Sequence, residues 1–287
     1  MALAFHRYDD VEAFLAATGG FLGAREAEHN LLLGISSQVR SFPDLFEEEP
    51  RFAAVTDDGR VVAATLRTPP WNQVLSEVDD AAAVDLLAER LTDESLPGVT
   101  GPSEVAARFA EAWARRTGKR ANLDVAERIF RLERVIPPER PARGTWRLAE
   151  PRDRELVADW LHRFGEEAAP NHPAPADMLA TADRWIARQY RTLYVWEVDG
   201  RVVSLAGAGG ATPNGIRIGP VYTPPGERDH GYASSLTAAA SQDQLDRGRQ
   251  FVFLFTDLAN PTSNKIYQAI GYEPVCDVDM YLFEADA

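Results

Sequence analysis

Near the middle of the chain, Pro137-Pro138-Glu139-Arg140-Pro141-Ala142-Arg143-Gly144 carries three prolines and a closing glycine. Proline cannot donate to a strand ladder or continue a helix, so this stretch divides the 287 residues into two parts of ordinary domain size. Both parts read as strands and helices in similar order. In the second, strands are expected at Thr145–Leu148, Thr192–Val198, Arg201–Gly207, Ile216–Thr223, Phe251–Thr256 and Glu273–Phe283, with helices at Asp153–Phe164, Pro175–Tyr190, Gly231–Arg247 and Pro261–Ile270. In the first, strands are expected at Arg51–Thr56, Arg60–Thr68, Trp71–Leu75 and Ile129–Ile136, and helices at Val11–Thr18, Arg25–Val39, Ala81–Leu91 and Pro102–Arg116. Asp58-Gly59-Arg60-Val61-Val62-Ala63 matches Asp199-Gly200-Arg201-Val202-Val203-Ser204 at corresponding hairpins, where Asp-Gly is a strong turn signal. The chain therefore reads as a duplicated fold.

Charge and cysteine usage narrow the function. There are 44 acidic against 30 basic residues, a formal net charge of −14, without a basic arm or stripe. This argues against phosphate-led nucleic-acid binding and against docking on an anionic membrane. A cationic small-molecule partner stays open. The single cysteine, Cys276, excludes an intrachain disulfide and a cysteine-based zinc site, and fits a reducing cytoplasmic compartment. No apolar run is long enough to span a bilayer, and the first residues lack the basic start of a signal peptide.

The chemistry gathers in Ile216–Ser235, where a strand ends at Pro224-Pro225 and Gly231 opens a helix. Arg228-Asp229-His230-Gly231-Tyr232-Ala233 fits Arg-x-x-Gly-x-Ala. Amides at a helix N-terminus lack intrahelical partners and sit at the positive end of the dipole. Gly231 and Ala233 permit close approach of a pyrophosphate, and Arg228 adds charge. A glycine-capped turn with Arg228 in solvent would carry the same pattern, which alone is weak. The second signature follows the apolar strand Phe251–Thr256: Asn260, Tyr267 seven residues on, then Gly271-Tyr272.

With both pieces in order, the chain resembles the GNAT N-acetyltransferase superfamily, strongly over about 145–287 and only in element order over 1–136. The resemblance implies an α+β fold of two GNAT-type domains. Each would be a mixed, mostly antiparallel sheet flanked by helices and splayed at its central strands. Residues 1–137 would form a degenerate copy without CoA motifs, 138–144 a linker, and 145–287 the catalytic domain. It further implies acetyl-CoA as co-substrate, no metal, and direct transfer to a primary amine of a small molecule. Val221, Tyr222 and Thr223 would hold the pantetheine. Arg228, Asp229, Gly231, Tyr232, Ala233 and Ser234 would hold the pyrophosphate. Asn260, Ser263 and Asn264 would contact the pantetheine arm, and Tyr267 would protonate the departing thiolate.

The general base is open. Where the histone-acetylating branch of the family carries a glutamate, this chain has Arg217, which cannot accept a proton at neutral pH. Glu166 and Glu167, expected in a loop bordering the acceptor pocket, are candidates to bind an ammonium, with the bland alternative of a solvated acidic loop; His172 has the same standing. His230 is expected to face solvent, Asp257 to cap a turn and Cys276 to pack as an inert thiol. The first part has no glycine between Gly59 and Gly98, no tyrosine between Tyr8 and Tyr190, and Ser76-Glu77-Val78-Asp79-Asp80 where a phosphate loop would fall. Trp71 and Arg67 are read there as surface packing, with lining a wall of the acceptor site as the alternative. The alternatives to an acetyltransferase are a non-catalytic acyl-CoA-binding sensor, or an acyltransferase with another acyl group or acceptor.

Overall fold

A computed structural model describes residues 2–168 and 177–284. In chain order the elements are β1 Leu3–Tyr8, α1 Val11–Ala24, α2 Asn30–Ser41, β2 Arg51–Asp57, β3 Arg60–Arg67, β4 Gln73–Leu75, α3 Ala81–Arg90, β5 Gly98–Pro102, α4 Ser103–Thr117 and β6 Arg120–Leu132. There follow β7 Thr145–Leu148, α5 Arg154–Ala168, α6 Met178–Ile186, β8 Arg191–Val198, β9 Arg201–Gly209, β10 Gly215–Tyr222, α7 Tyr232–Asp246, β11 Phe251–Asp257, α8 Pro261–Ala269 and β12 Glu273–Glu284. The second series repeats the first, strand for strand and helix for helix.

The chain forms two compact units: Met1–Phe130 with Phe255–Pro261 and Pro274–Ala287, and Arg131–Leu254 with Thr262–Glu273. The first unit's sheet runs β1-β2-β3-β4-β5-β12-β6. Its pairing is antiparallel at β1/β2, β2/β3, β3/β4 and β5/β12, and parallel at β4/β5. Phe14, Leu22, Leu32 and Leu33 of α1 and α2 form one core cluster. Leu87, Phe109 and Trp113 of α3 and α4 form another, where the Trp113 ring stacks on Phe283 of β12 with centroids 4.3 Å apart.

The expectation that Glu273–Phe283 closes the second domain therefore meets a different arrangement. The strand forms, but it lies beside β5 of the first unit, with Val278 opposite Pro102 and Leu282 opposite Gly98. The units thus do not divide at the proline-rich linker. β1 and β5 were not among the expected strands. β5 reads Gly-Val-Thr-Gly-Pro, which looks like a turn; its glycines instead serve close approach, since a Cβ on Gly101 would lie 2.9 Å from Leu75 Cβ.

The second unit's sheet runs β11-β10-β9-β8-β7, antiparallel except for the β10/β11 pair. Val157, Trp160 and Leu161 of α5 pack on Leu193, Leu205 and Tyr222 of the sheet. Both Asp-Gly hairpins turn as their sequences require, with positive φ at Asp58 and Gly59 (47° and 81°) and at Asp199 and Gly200 (50° and 77°).

Buried Asp153 fastens the entry to α5. It accepts from Arg147 at 2.6 and 2.9 Å and from the Glu150 amide at 2.8 Å. Burial raises its pKa, but the Arg147 and Glu150 hydrogen bonds outweigh this and hold the carboxyl below its ordinary value. Asp153→Asn should cost about 3 kcal/mol at pH 7, because Arg147 loses its buried partner. The sign with pH follows. A carboxyl depressed in the fold stabilises above its unfolded pKa of about 3.9 and ceases to as pH falls through the folded value. Melting curves should show the wild-type advantage shrinking as pH drops below about 4; an advantage constant with pH would refute the assignment.

Candidate active site

The central strands part where a ligand would enter. β10 pairs in register with β11 from Gly215↔Phe251 to Arg217↔Phe253, where the register ends, while β10 continues to Tyr222. On its other side, the register with β9 shifts between Ile218 and Val221. A bulge re-aims the strand and ends local pairing, so main-chain groups between Ile218 and Tyr222 lie beyond the β11 ladder. The expected splay is present, beside Val221, Tyr222 and Thr223.

After β10 the chain passes Pro224, a short 3-10 turn at Pro225–Glu227, and two left-handed residues, Asp229 (φ 66°) and Gly231 (φ 75°). Gly231 caps α7 without a side-chain hydrogen bond. The Ser235 amide takes Gly231 O at 3.0 Å, so those of Tyr232, Ala233 and Ser234 precede the first intrahelical bond. The geometry fits an anion held by main-chain donors. Far along α7, Asp243 accepts from Tyr194 of β8 at 2.5 Å, which anchors the helix on the sheet.

Arg228 is engaged within the protein. Its Nε donates to Thr223 O at 2.9 Å and its Nη2 to Glu167 at 2.6 Å. The Tyr222 hydroxyl donates to the same carboxylate at 3.3 Å, and burial followed by Glu167's charge raises the Tyr222 pKa. The expected loop location of Glu166 and Glu167 is therefore corrected: both lie in the last turn of α5, which runs to Ala168. Glu166 sits exposed, 3.5 Å from His162, while Glu167 reaches Arg228. Sequence reasoning missed this pairing because it depends on where α5 ends. Glu167→Gln should release Arg228 toward an anion at this helix start and, with CoA as the probe, tighten binding up to about fivefold, the range of a half-exposed ion pair; weaker binding by calorimetry would show that Glu167 aids rather than competes.

His230 donates through Nδ1 to Arg228 O at 2.7 Å and stacks on Tyr232. His172 lies outside the described residues. In the first unit, Asp257 caps a turn by accepting from the Ala259 amide at 2.7 Å, and the Asn260 amide donates to Asp257 O at 3.0 Å. There too, burial pushes the half-buried Cys276 thiol up to about 12, far from a reactive thiolate. Trp71 is exposed as expected. Arg67 is not: it is buried, donates to Trp71 O at 2.9 Å, and lies 3.9 Å from buried Glu94.

Ser263, Asn264 and Tyr267 lie on α8 in the second unit. Tyr267 packs edge-on against Tyr272, ring centroids 6.0 Å apart, and the Tyr272 hydroxyl is 2.7 Å from Ser241 of α7. Burial pushes the Tyr267 hydroxyl up to about 12, so it keeps its proton at neutral pH.

The corresponding helix start in the first unit is closed. There Asp80 caps α3, its carboxylate accepting from the Ala82 amide at 2.9 Å, and Glu77 and Asp79 line the adjacent cavity. Acids stand where the second unit presents free amides, so the two helix starts have opposite polarity. Among the described residues, no cluster of three or more His, Cys, Asp or Glu is placed to hold a metal, and no helix is long and apolar enough to cross a membrane.

The acetyltransferase (GNAT) family model matches residues 155–272. No curated protein matches the sequence. Among solved structures, a Drosophila protein aligns with TM-score 0.69 at 15% identity, covering 97% of this chain and 98% of its own. A tandem GNAT protein from the clavulanic acid biosynthesis pathway aligns with TM-score 0.58 at 15% identity over 98% and 97%. A GCN5-related N-acetyltransferase from Sphaerobacter thermophilus aligns with TM-score 0.58 at 16% identity over 97% and 94%. The family model thus covers the greater part of the second repeat, and the whole-length likenesses together with the repeated element order show that the chain has a tandem GNAT-like fold.

Proposed function

We propose that the protein is an N-acetyltransferase that moves the acetyl group of acetyl-CoA directly to a primary amine of a small molecule. The observation that carries this reading is the conjunction in the second unit of a β10 edge beyond the β11 register with a glycine-capped helix start immediately after it. The amides of Tyr232, Ala233 and Ser234, with the charge of Arg228 and the turn at Asp229 and Gly231, would hold the pyrophosphate. The β10 edge at Val221–Thr223, with Ser263 and Asn264 of α8, would hold the pantetheine. Acetyl-CoA supplies an acyl thioester, and on transfer a C–N bond replaces its C–S bond while the amine gives up a proton. Tyr267 would provide the proton that the departing sulfur takes up. Main-chain N–H groups at the β10 bulge would oppose the charge that develops on the carbonyl oxygen.

The test is thiol release from acetyl-CoA in the presence of a broad panel of amines, with CoA binding measured separately. Release above the no-enzyme rate with at least one amine, together with its N-acetyl product, is expected. Binding without acceleration across the panel would leave only a CoA-binding module.

A further inference from the structure

The second unit holds two guanidinium groups that the acyl-donor site does not use. Arg191 opens β8 opposite Gly209 of β9, and Arg217 of β10 lies opposite the same Gly209. Residues opposed across a sheet project from one face, so both arginines stand over Gly209, on the face that Leu193, Leu205 and Tyr222 turn toward α5. Glycine makes the room. A Cβ on Gly209 would lie 3.2 Å from Arg191 Cγ, Cζ and Nε, and one on Gly210 would lie 3.1 Å from Arg217 Nη2. On its other side, Arg191 meets the Trp185 ring of α6, with Cζ 4.5 Å from the centroid. The Arg191 guanidinium thus lies in a flat slot between an indole and a floor of main chain.

Two donors in this slot lack an acceptor. Arg191 Nη1 donates to Gly219 O, at the β10 bulge, but among the described residues the buried Arg191 Nε has no partner, and neither has the buried Trp185 Nε1. Neither group can accept a hydrogen bond, and buried donors are costly to leave unmade. The electrostatics point the same way. Burial, then the like charge of Arg217, pushes the Arg191 pKa down to about 9. A flat slot with two orphan donors and two positive charges, beside the bulge, suits a planar anion whose oxygens extend the guanidinium plane.

We infer that the acceptor amine carries a carboxylate, held by Arg191 with Arg217 and Trp185 beside the β10 bulge. This rests on the acetyltransferase reading and narrows its acceptor to the amino-acid class. Sequence reasoning met Arg217 only as a missing base. Its pairing with Arg191 depends on register across three strands.

The experiment compares acetylation of amino acids, their carboxamides and phosphate-bearing amines of similar size, with equilibrium binding of the same compounds by calorimetry. Carboxylate compounds should be preferred at least about tenfold in kcat/KM and in affinity. Arg191→Gln and, separately, Arg217→Gln should raise the acceptor KM roughly 10- to 100-fold, with the acetyl-CoA KM within about twofold. Arg217→Gln and the substrate comparison carry the test should Arg191→Gln fail to fold. Equal use of carboxamides, or preference for phosphate-bearing amines, would overturn the inference and leave acyl transfer standing. Selective carboxylate binding without transfer to any amine would support the slot and refute the acetyltransferase reading. Absence of carboxylate binding would overturn the inference by itself.

Discussion

Tyr267→Phe is expected to lower kcat roughly 100- to 10,000-fold while the acetyl-CoA KM stays within about twofold. The substitution removes one hydroxyl and leaves the ring against Tyr272, so packing changes little. What disappears is a proton donor to a sulfur that gains negative charge only as the C–S bond breaks, which marks a loss in the transition state rather than in the bound ground state. With its pKa pushed up to about 12, the Tyr267 hydroxyl stays protonated through the neutral range, so the wild-type kcat profile should show no falling limb from this residue below about pH 11. Steady-state kinetics from pH 6 to pH 10 check both points. An unchanged kcat in the variant would remove Tyr267 from the chemistry, and a limb near pH 8 that the variant abolishes would contradict the raised pKa.

Gly231→Asp should weaken acetyl-CoA binding about 100-fold and lower the melting temperature by only a few degrees. Gly231 has φ 75°, a conformation that aspartate tolerates better than most residues. An added Cβ would meet only Ala142 Cβ, at 3.9 Å. The side chain therefore finds space, at a backbone strain of about 1 kcal/mol. Its carboxylate, however, would place negative charge beside the first-turn amides, where the pyrophosphate is to bind. The variant gives one unit the acidic helix start of the other. Calorimetry with CoA and a thermal melt separate the two effects. Unaltered affinity would mean that this helix start does not bind the pyrophosphate.

The parts of the molecule that were legible in the sequence depend on local spacing. The Asp-Gly hairpins, the run Phe251–Thr256 and the spacing of Tyr267 to Gly271-Tyr272 are each written within a few residues, and the matching hairpins with the element order revealed the repeat. Features that depend on distant pairing were not legible. β5 hides because its glycines answer to Leu75 and to the backbone of Tyr281 on other strands. Glu167 reaches Arg228 across 61 residues. The Arg191–Gly209–Arg217 row exists only once β8, β9 and β10 are in register.

The strand Glu273–Glu284 has a bearing on how such a chain can be made and inherited. It is the last strand of the second repeat, yet its ladder partner is β5, and its Phe283 stacks on Trp113. A gene cut at the proline-rich segment would yield a back half whose final strand has an unsatisfied edge and a front half missing a strand of its sheet. Neither product is a self-sufficient folding unit. The front half of the sequence is thus bound to the strand that ends the back half by a hydrogen-bonded ladder and an aromatic stack.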